Sequence, residues 1–171
     1  MVLKYNPYTG QIWALQNQDG NSTLTLIDPA THKVTGPLSF ANPSISNGYD
    51  DVVFKGGKVF LSYTNPAGTG APTLVELVNG NHPSGSLLTT TISADGAMGF
   101  NTVTGTTEVV PQSDPDSLKL APNGDLTFTD NADGVIVGVQ NTGTSSQAVS
   151  FTTIKGIPAG LCRTCRPSRW V

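Results

Sequence analysis

The chain has 171 residues, the size of one ordinary domain, and only 12% of them are charged, while Gly, Asn, Thr, Ser and Pro abound. A disordered chain of such low charge would be poor in Val, Ile, Leu and Phe, and this one is not. The net charge of −3 hides an asymmetry: all three arginines (Arg163, Arg166, Arg169) fall in the last nine residues, leaving six lysines against twelve acids in the rest. So acidic a body has no electrostatic footprint for nucleic acid or an anionic membrane, and suits neutral ligands or cations.

No window shows the i, i+3, i+4, i+7 spacing of an amphipathic helix, and no apolar run approaches the roughly 18 to 20 residues of a membrane span. The N-terminal "MVLKYNPYTG" lacks a signal peptide's apolar stretch, so the sequence gives no address, although the low-charge, Thr/Asn/Gly-rich composition resembles that of exported proteins. Thr- and Val-rich runs separated by Gly, Asn and Pro clusters predict an all-β protein. A first unit over 2–48 opens with "VLKYNPYTGQIWALQN", an alternating strand, a turn ending at Gly10 and a strand centred on Trp13. It continues with "STLTLIDPATHKVTGPLSF", whose Pro29 suits the second position of a type I turn.

The second unit, 49–112, repeats the opening hairpin as "DVVFKGGKVFLSYTN" with Gly57 and Phe60, and is longer because "ADGAMGFNTVTGTTEVVP" (94–111) adds a hairpin-like pair. The third, 113–158, has "SLKLAPNGDLTFTDN" with Gly124 and Phe128, then a hairpin over 134–154 turning at Asn141–Gly143. Four strands in about 40 to 50 residues is the pattern of a propeller blade, so the predicted fold is all-β and β-propeller-like. It would have about three four-stranded blades over 1–161, half a propeller, with an open β-prism or sandwich as the alternative. Residues 162–171 stand outside the repeat. Their Cys162 and Cys165 form a single Cys-x-x-Cys without the second pair a structural zinc needs, which predicts a poorly packed appendage.

The third unit raises the functional question. Asp114 and Asp116 flank Pro115 just before a strand, although Asp is depleted in strands. "DPDSLKLAPNGDLTFTDNADGVI" (114–136) is similar to the blade motif of the gluconolactonase/regucalcin group of six-bladed propellers, and "NGYDDVVFKGGKVFLSY" (47–63) resembles its Asn-Asp form. The resemblance implies a divalent cation, commonly calcium, held where the inner strands begin. The positions that match its ligands are Asp50 and Asp116, with Asn47 just before and Asp51 alongside. It implies lactone opening, of sugar lactones or N-acyl-homoserine lactones, with the cation polarising the ester and an aspartate activating water; Asp51 is the base and Asp116 a catalytic ligand.

The residues alone allow a second reading of each acid as a turn former, Asp114 above all. The family's glutamate ligand has no counterpart, since Glu76 and Glu108 fall on outer strands. The competing function is a non-catalytic binding module whose acids are leftovers. Neither His32 nor His82 has neighbours at zinc spacing, no Gly-x-Ser-x-Gly elbow occurs, and "GGK" (56–58) does not complete a phosphate loop. Exposed edges of a three-blade array predict a homo-oligomer, two copies completing one ring.

Overall fold

The structure, a computed structural model, describes residues 1–41 and 48–154. Asn47 and the 162–171 tail therefore lie outside the described residues. The described residues form three consecutive sheets, antiparallel but for one pairing, and contain no helix. Sheet 1 is β1 (Val2–Tyr5), β2 (Ile12–Gln16), β3 (Thr23–Asp28) and β4 (Lys33–Ser39), in that order. Sheet 2 is β5 (Tyr49–Lys55), β6 (Lys58–Tyr63), β7 (Pro72–Leu77) and β8 (Thr89–Ala94). Sheet 3 holds β9 (Met98–Asn101), β10 (Thr106–Val109), β11 (Lys119–Leu120), β12 (Leu126–Asp130), β13 (Val135–Gln140) and β14 (Ala148–Thr153), in the order β10-β9-β14-β13-β12-β11. The fold is all-β and propeller-like, three blades of four up-and-down strands with two extra strands on the third.

One turn recurs and explains much of the Asx and Gly content. At Asn6, Asn101 and Asp130 the residue's backbone carbonyl accepts the amide of the glycine four positions on. Gly10, Gly105 and Gly134 have φ of 72°, 75° and 64°, where a side chain would be strained. The Asx side chain accepts amides inside the turn, from Tyr8, Val103 and Asp133 respectively. The Asp28 turn carries the same side-chain bonds, to Ala30 and Thr31, and ends at His32 with φ 57°. Asp and Asn there satisfy backbone donors that the ladder cannot.

Packing follows a positional rule. Two and four residues after the turn glycine, Val59/Leu61 in sheet 2 and Leu126/Phe128 in sheet 3 face the preceding sheet; three residues after it, Trp13 and Phe60 face the following one. Core residues of sheets 1 and 2 such as Trp13, Leu15, Leu61 and Val75 thus make one cluster, with Trp13 edge-on to Phe54 at 5.0 Å. Phe60 and Leu74 join Leu126, Phe128 and Val137 in a second. Among the described residues only the middle sheet packs against another sheet on both faces. At about 1.5–3 kcal/mol for each large side chain fully buried, these two clusters are the main stabilising term.

The hairpin over 94–111 does not lengthen the middle unit. As β9 and β10 it joins sheet 3, β9 pairing parallel with β14 through Ser150↔Phe100 and Phe151↔Asn101. Gly99 makes the approach possible, since a Cβ there would land on Val110 and Val149. β7 and β8, which complete the middle blade, are not marked by the repeat: β7 begins at Pro72 and a long connection over 78–88 separates the two.

Candidate functional site

The first strands of the three sheets lie side by side, β5 between β1 and β11. Their backbones are short and two-sided, so whatever polar groups they carry meet across sheets. β5 is interrupted by a bulge between Tyr49 and Val52. There the Asp51 amide donates to Ser62 Oγ (3.0 Å) and the Val52 amide to Asp51 Oδ1 (2.8 Å). A bulge adds a residue and re-aims side chains. Two consecutive carboxylates, Asp50 and Asp51, are both buried and both engage the neighbouring first strands, which a regular period of two would not allow.

Asp51 is the hub of an ion bridge that spans all three sheets. Lys4 Nζ lies 3.0 Å from its Oδ1 and Lys119 Nζ 3.0 Å from its Oδ2, and the Asp51 side chain is only 6% exposed. With the Val52 amide, both oxygens are committed to structural partners. The residue expected to act as base also ties the three blades together.

Asp50 and Asp116 do come together. Their carboxyl groups share a hydrogen bond, although they belong to different sheets and are 66 positions apart in the chain. Burial, the bond to Asp116 and its charge push the Asp50 carboxyl up to about 8, with Asp51 and Asp114 adding to the effect. The same bond holds Asp116 low, helped by the Ser117 amide and by Asn131, whose Nδ2 donates to Asp116 Oδ2. At neutral pH the pair therefore shares one proton, the standard result for like charges forced together.

Asp114 stands beside the pair. Burial and the charges of Asp116, Asp19 and Asp133 raise its pKa, and among the described residues no hydrogen bond engages its carboxylate. Asp130, fully buried at the end of β12, accepts the amides of Asp114 (2.8 Å) and Asp133 (3.0 Å). Burial still pushes its carboxyl up to about 6. It fixes the loop that carries Asp114 and Asp116. The acids before β11 thus divide: Asp116 faces Asp50, and Asp114 sits on a loop pinned by Asp130.

Sequence reasoning missed Lys4, Lys119 and Asp130. The signal for the first was present: Lys4 and Asp51 each stand six residues before their turn glycine, so opposite charges occupy one repeat position in adjacent units. The other candidates take the positions expected of bystanders. His32 and His82 are exposed, Glu76 on β7 pairs with Lys58, and Glu108 on β10 accepts from Thr104 and Thr106.

Calcium takes six to eight oxygen ligands. Asp50 and Asp116 supply the right chemistry, hard carboxylate oxygens whose mutual repulsion a dication relieves, and too few of them. Among the described residues no group of three His, Cys, Asp or Glu side chains is set to hold a metal.

No family model matches the sequence, and no curated protein does. A solved structure titled streptogramin B lyase aligns with 92% of this chain at 16% identity and a TM-score of 0.44. The alignment covers 55% of that structure, so this chain spans little more than half its length.

Proposed function

We propose that the Asp50–Asp116 pair is a divalent-cation site, calcium by the hardness of its donors, and that it serves the opening of lactones. One observation carries the proposal: two carboxylates delivered by separate sheets meet at the starts of the inner strands, while Lys4 and Lys119 make their ion pairs with Asp51. A dication would take the place of the proton the two acids share and relieve their repulsion more fully.

A bound cation would supply Lewis-acid polarisation of the ester carbonyl. The chain's own residues supply the rest. Asp50 and Asp116 would hold the cation, Asp50 giving up the shared proton to the solvent. Asp114, raised in pKa and held in place through Asp130, takes a proton from water, the task for which Asp51 has no oxygen to spare; a carboxylate of raised pKa is the better base near neutrality. Lys4 and Lys119 engage Asp51 and tie β1, β5 and β11 together.

Lactone hydrolysis by the purified chain, followed by pH-stat with calcium and with a chelator, tests this directly. Calcium-dependent turnover that disappears in Asp116→Ala and in Asp50→Asn is expected. Absence of any turnover with calcium, or turnover indifferent to Asp116→Ala, refutes it. The competing reading, a binding module, is favoured by the Lys4–Asp51–Lys119 bridge, which spends one inner acid on architecture. It predicts calcium binding with no turnover.

A further inference from the structure

Among the described residues no sheet packs on the outer face of either end sheet, and the two faces are not alike. On sheet 1 the cross-strand partners Tyr5↔Ile12, Ile12↔Ile27 and Ile27↔Val34 line up as one apolar row across four strands. Tyr5 is 63% and Val34 62% exposed. On sheet 3 the row Thr127↔Gly138↔Ser150 is small and hydroxylated, and it runs on into Phe100, itself 48% exposed.

The positional rule gives these faces a sense. Ile12 and Ala14 stand two and four residues after Gly10, the positions by which sheets 2 and 3 receive the sheet before them. Thr127 stands three after Gly124, the position by which sheets 1 and 2 address the sheet after them. Among the described residues sheet 1 is thus an acceptor without a donor, and sheet 3 a donor without an acceptor. The large residues of the first face meet the small ones of the second.

We infer that two copies of this chain close into one six-sheet ring, sheet 3 of each copy packing on sheet 1 of the other. Each face pair joins unlike faces and occurs twice, so the whole interface is isologous and closes about a two-fold axis instead of growing a filament. Six sheets lie within the four to eight that propellers use. Area decides against a simpler dimer. A four-stranded face of about five residues per strand covers about 300–400 Å² at usual strand spacings, so one face pair buries about 600–800 Å², the size of a casual contact. Two face pairs bury about 1,200–1,600 Å², the size of a stable interface.

Closure also bears on the acid pair, in a step that rests on the function proposed above. The two-fold axis would bring the Asp50–Asp116 pairs of both copies to face each other, supplying from the second copy the oxygen donors that one chain lacks. The ring and the cation then fail separately, because the ring is measured without calcium or lactone.

The tests use the full chain with Cys162 and Cys165 changed to Ser, in chelator. Light scattering at micromolar concentration is expected to give about twice the 17.8 kDa chain mass. Ile27→Asp, which places a carboxylate in the middle of the acceptor row, is expected to weaken the dimer about a hundredfold or more with an unchanged circular dichroism spectrum. Orientation is read by disulfide trapping. A mixture of Ile12→Cys and Thr127→Cys copies should yield a cross-linked dimer that neither gives alone. A monomer, or cross-linking of Ile12→Cys with itself, overturns the ring. Should Ile27→Asp fail to fold, the trapping experiment decides alone.

Discussion

Asp51→Asn tests whether the three first strands are tied electrostatically. The substitution keeps the side-chain shape and leaves an amide oxygen for the Val52 N–H, so what is lost is charge. Lys4, with 27% of its side chain exposed, loses a partner at 3.0 Å and faces Lys119 with no anion between them. Breaking a fully buried pair by removing one partner costs about 3–5 kcal/mol, but neither lysine is fully buried. Lys119 is 60% exposed, so its share is screened to the surface-pair range of about 0.2–1 kcal/mol. The Lys4 contact, charge-assisted and mostly shielded, is worth about 1–2 kcal/mol. The expected loss is therefore about 2 kcal/mol, measured as a lower urea midpoint at unchanged m-value. Lys119→Met should cost under about 1 kcal/mol, and less still in 1 M salt, where the Debye length falls to about 3 Å. A loss in Asp51→Asn under about 0.5 kcal/mol would refute the bridge as a structural element.

Gly48→Ala should destabilise by about 3 kcal/mol in the same titration, because the new methyl lands on the Gln18 carbonyl and on Ser22 Oγ, the hydroxyl that accepts the Tyr49 amide; a near-neutral result would mean that the connection between sheets 1 and 2 packs differently. Asp130 is raised by folding from 3.8 to about 6, so its contribution to stability is complete below about pH 4 and is lost as pH rises through 6. Asp130→Asn should accordingly flatten the fall in stability between pH 4 and 7 by about 1–3 kcal/mol, whatever it does to the absolute value; an unchanged slope refutes the shift. Phe60→Ala and Leu61→Ala, adjacent residues that face different clusters, should each cost about 2–5 kcal/mol and add within about 0.5 kcal/mol in the double variant. A large coupling energy would show that the two clusters are one.

The fold was legible where local chemistry is strong. Hairpins around Gly10, Gly57 and Gly124 are specified by a positive-φ turn between alternating runs, and the Asp28 turn by a side chain that caps its own backbone. The extra hairpin was read correctly as a hairpin and placed in the wrong sheet, because which edge it joins depends on β14, a partner fifty residues away that no local pattern names. The site divides the same way. Asp50 and Asp116 could be picked out as acids at equivalent strand starts, which their meeting across two sheets matches. That Asp51 answers to lysines on both neighbouring sheets follows from the β5 bulge, and a bulge leaves no mark on the periodicity of five apolar and acidic residues.

The parallel seam between β9 and β14 sets an order for synthesis. The hairpin of β9 and β10 emerges some fifty residues before the strand it docks on. At ordinary translation rates that is roughly 3–10 s during which Met98, Phe100 and Val109 have an unsatisfied edge beside them. Long-range pairing of this kind is also slow to form once both strands exist. The nascent chain therefore passes through a window in which its first two blades are complete and a sticky ribbon trails from them. Holdase chaperones, or a pause in translation after β14, would be expected to raise the yield of folded protein more than any stabilisation of the finished sheets.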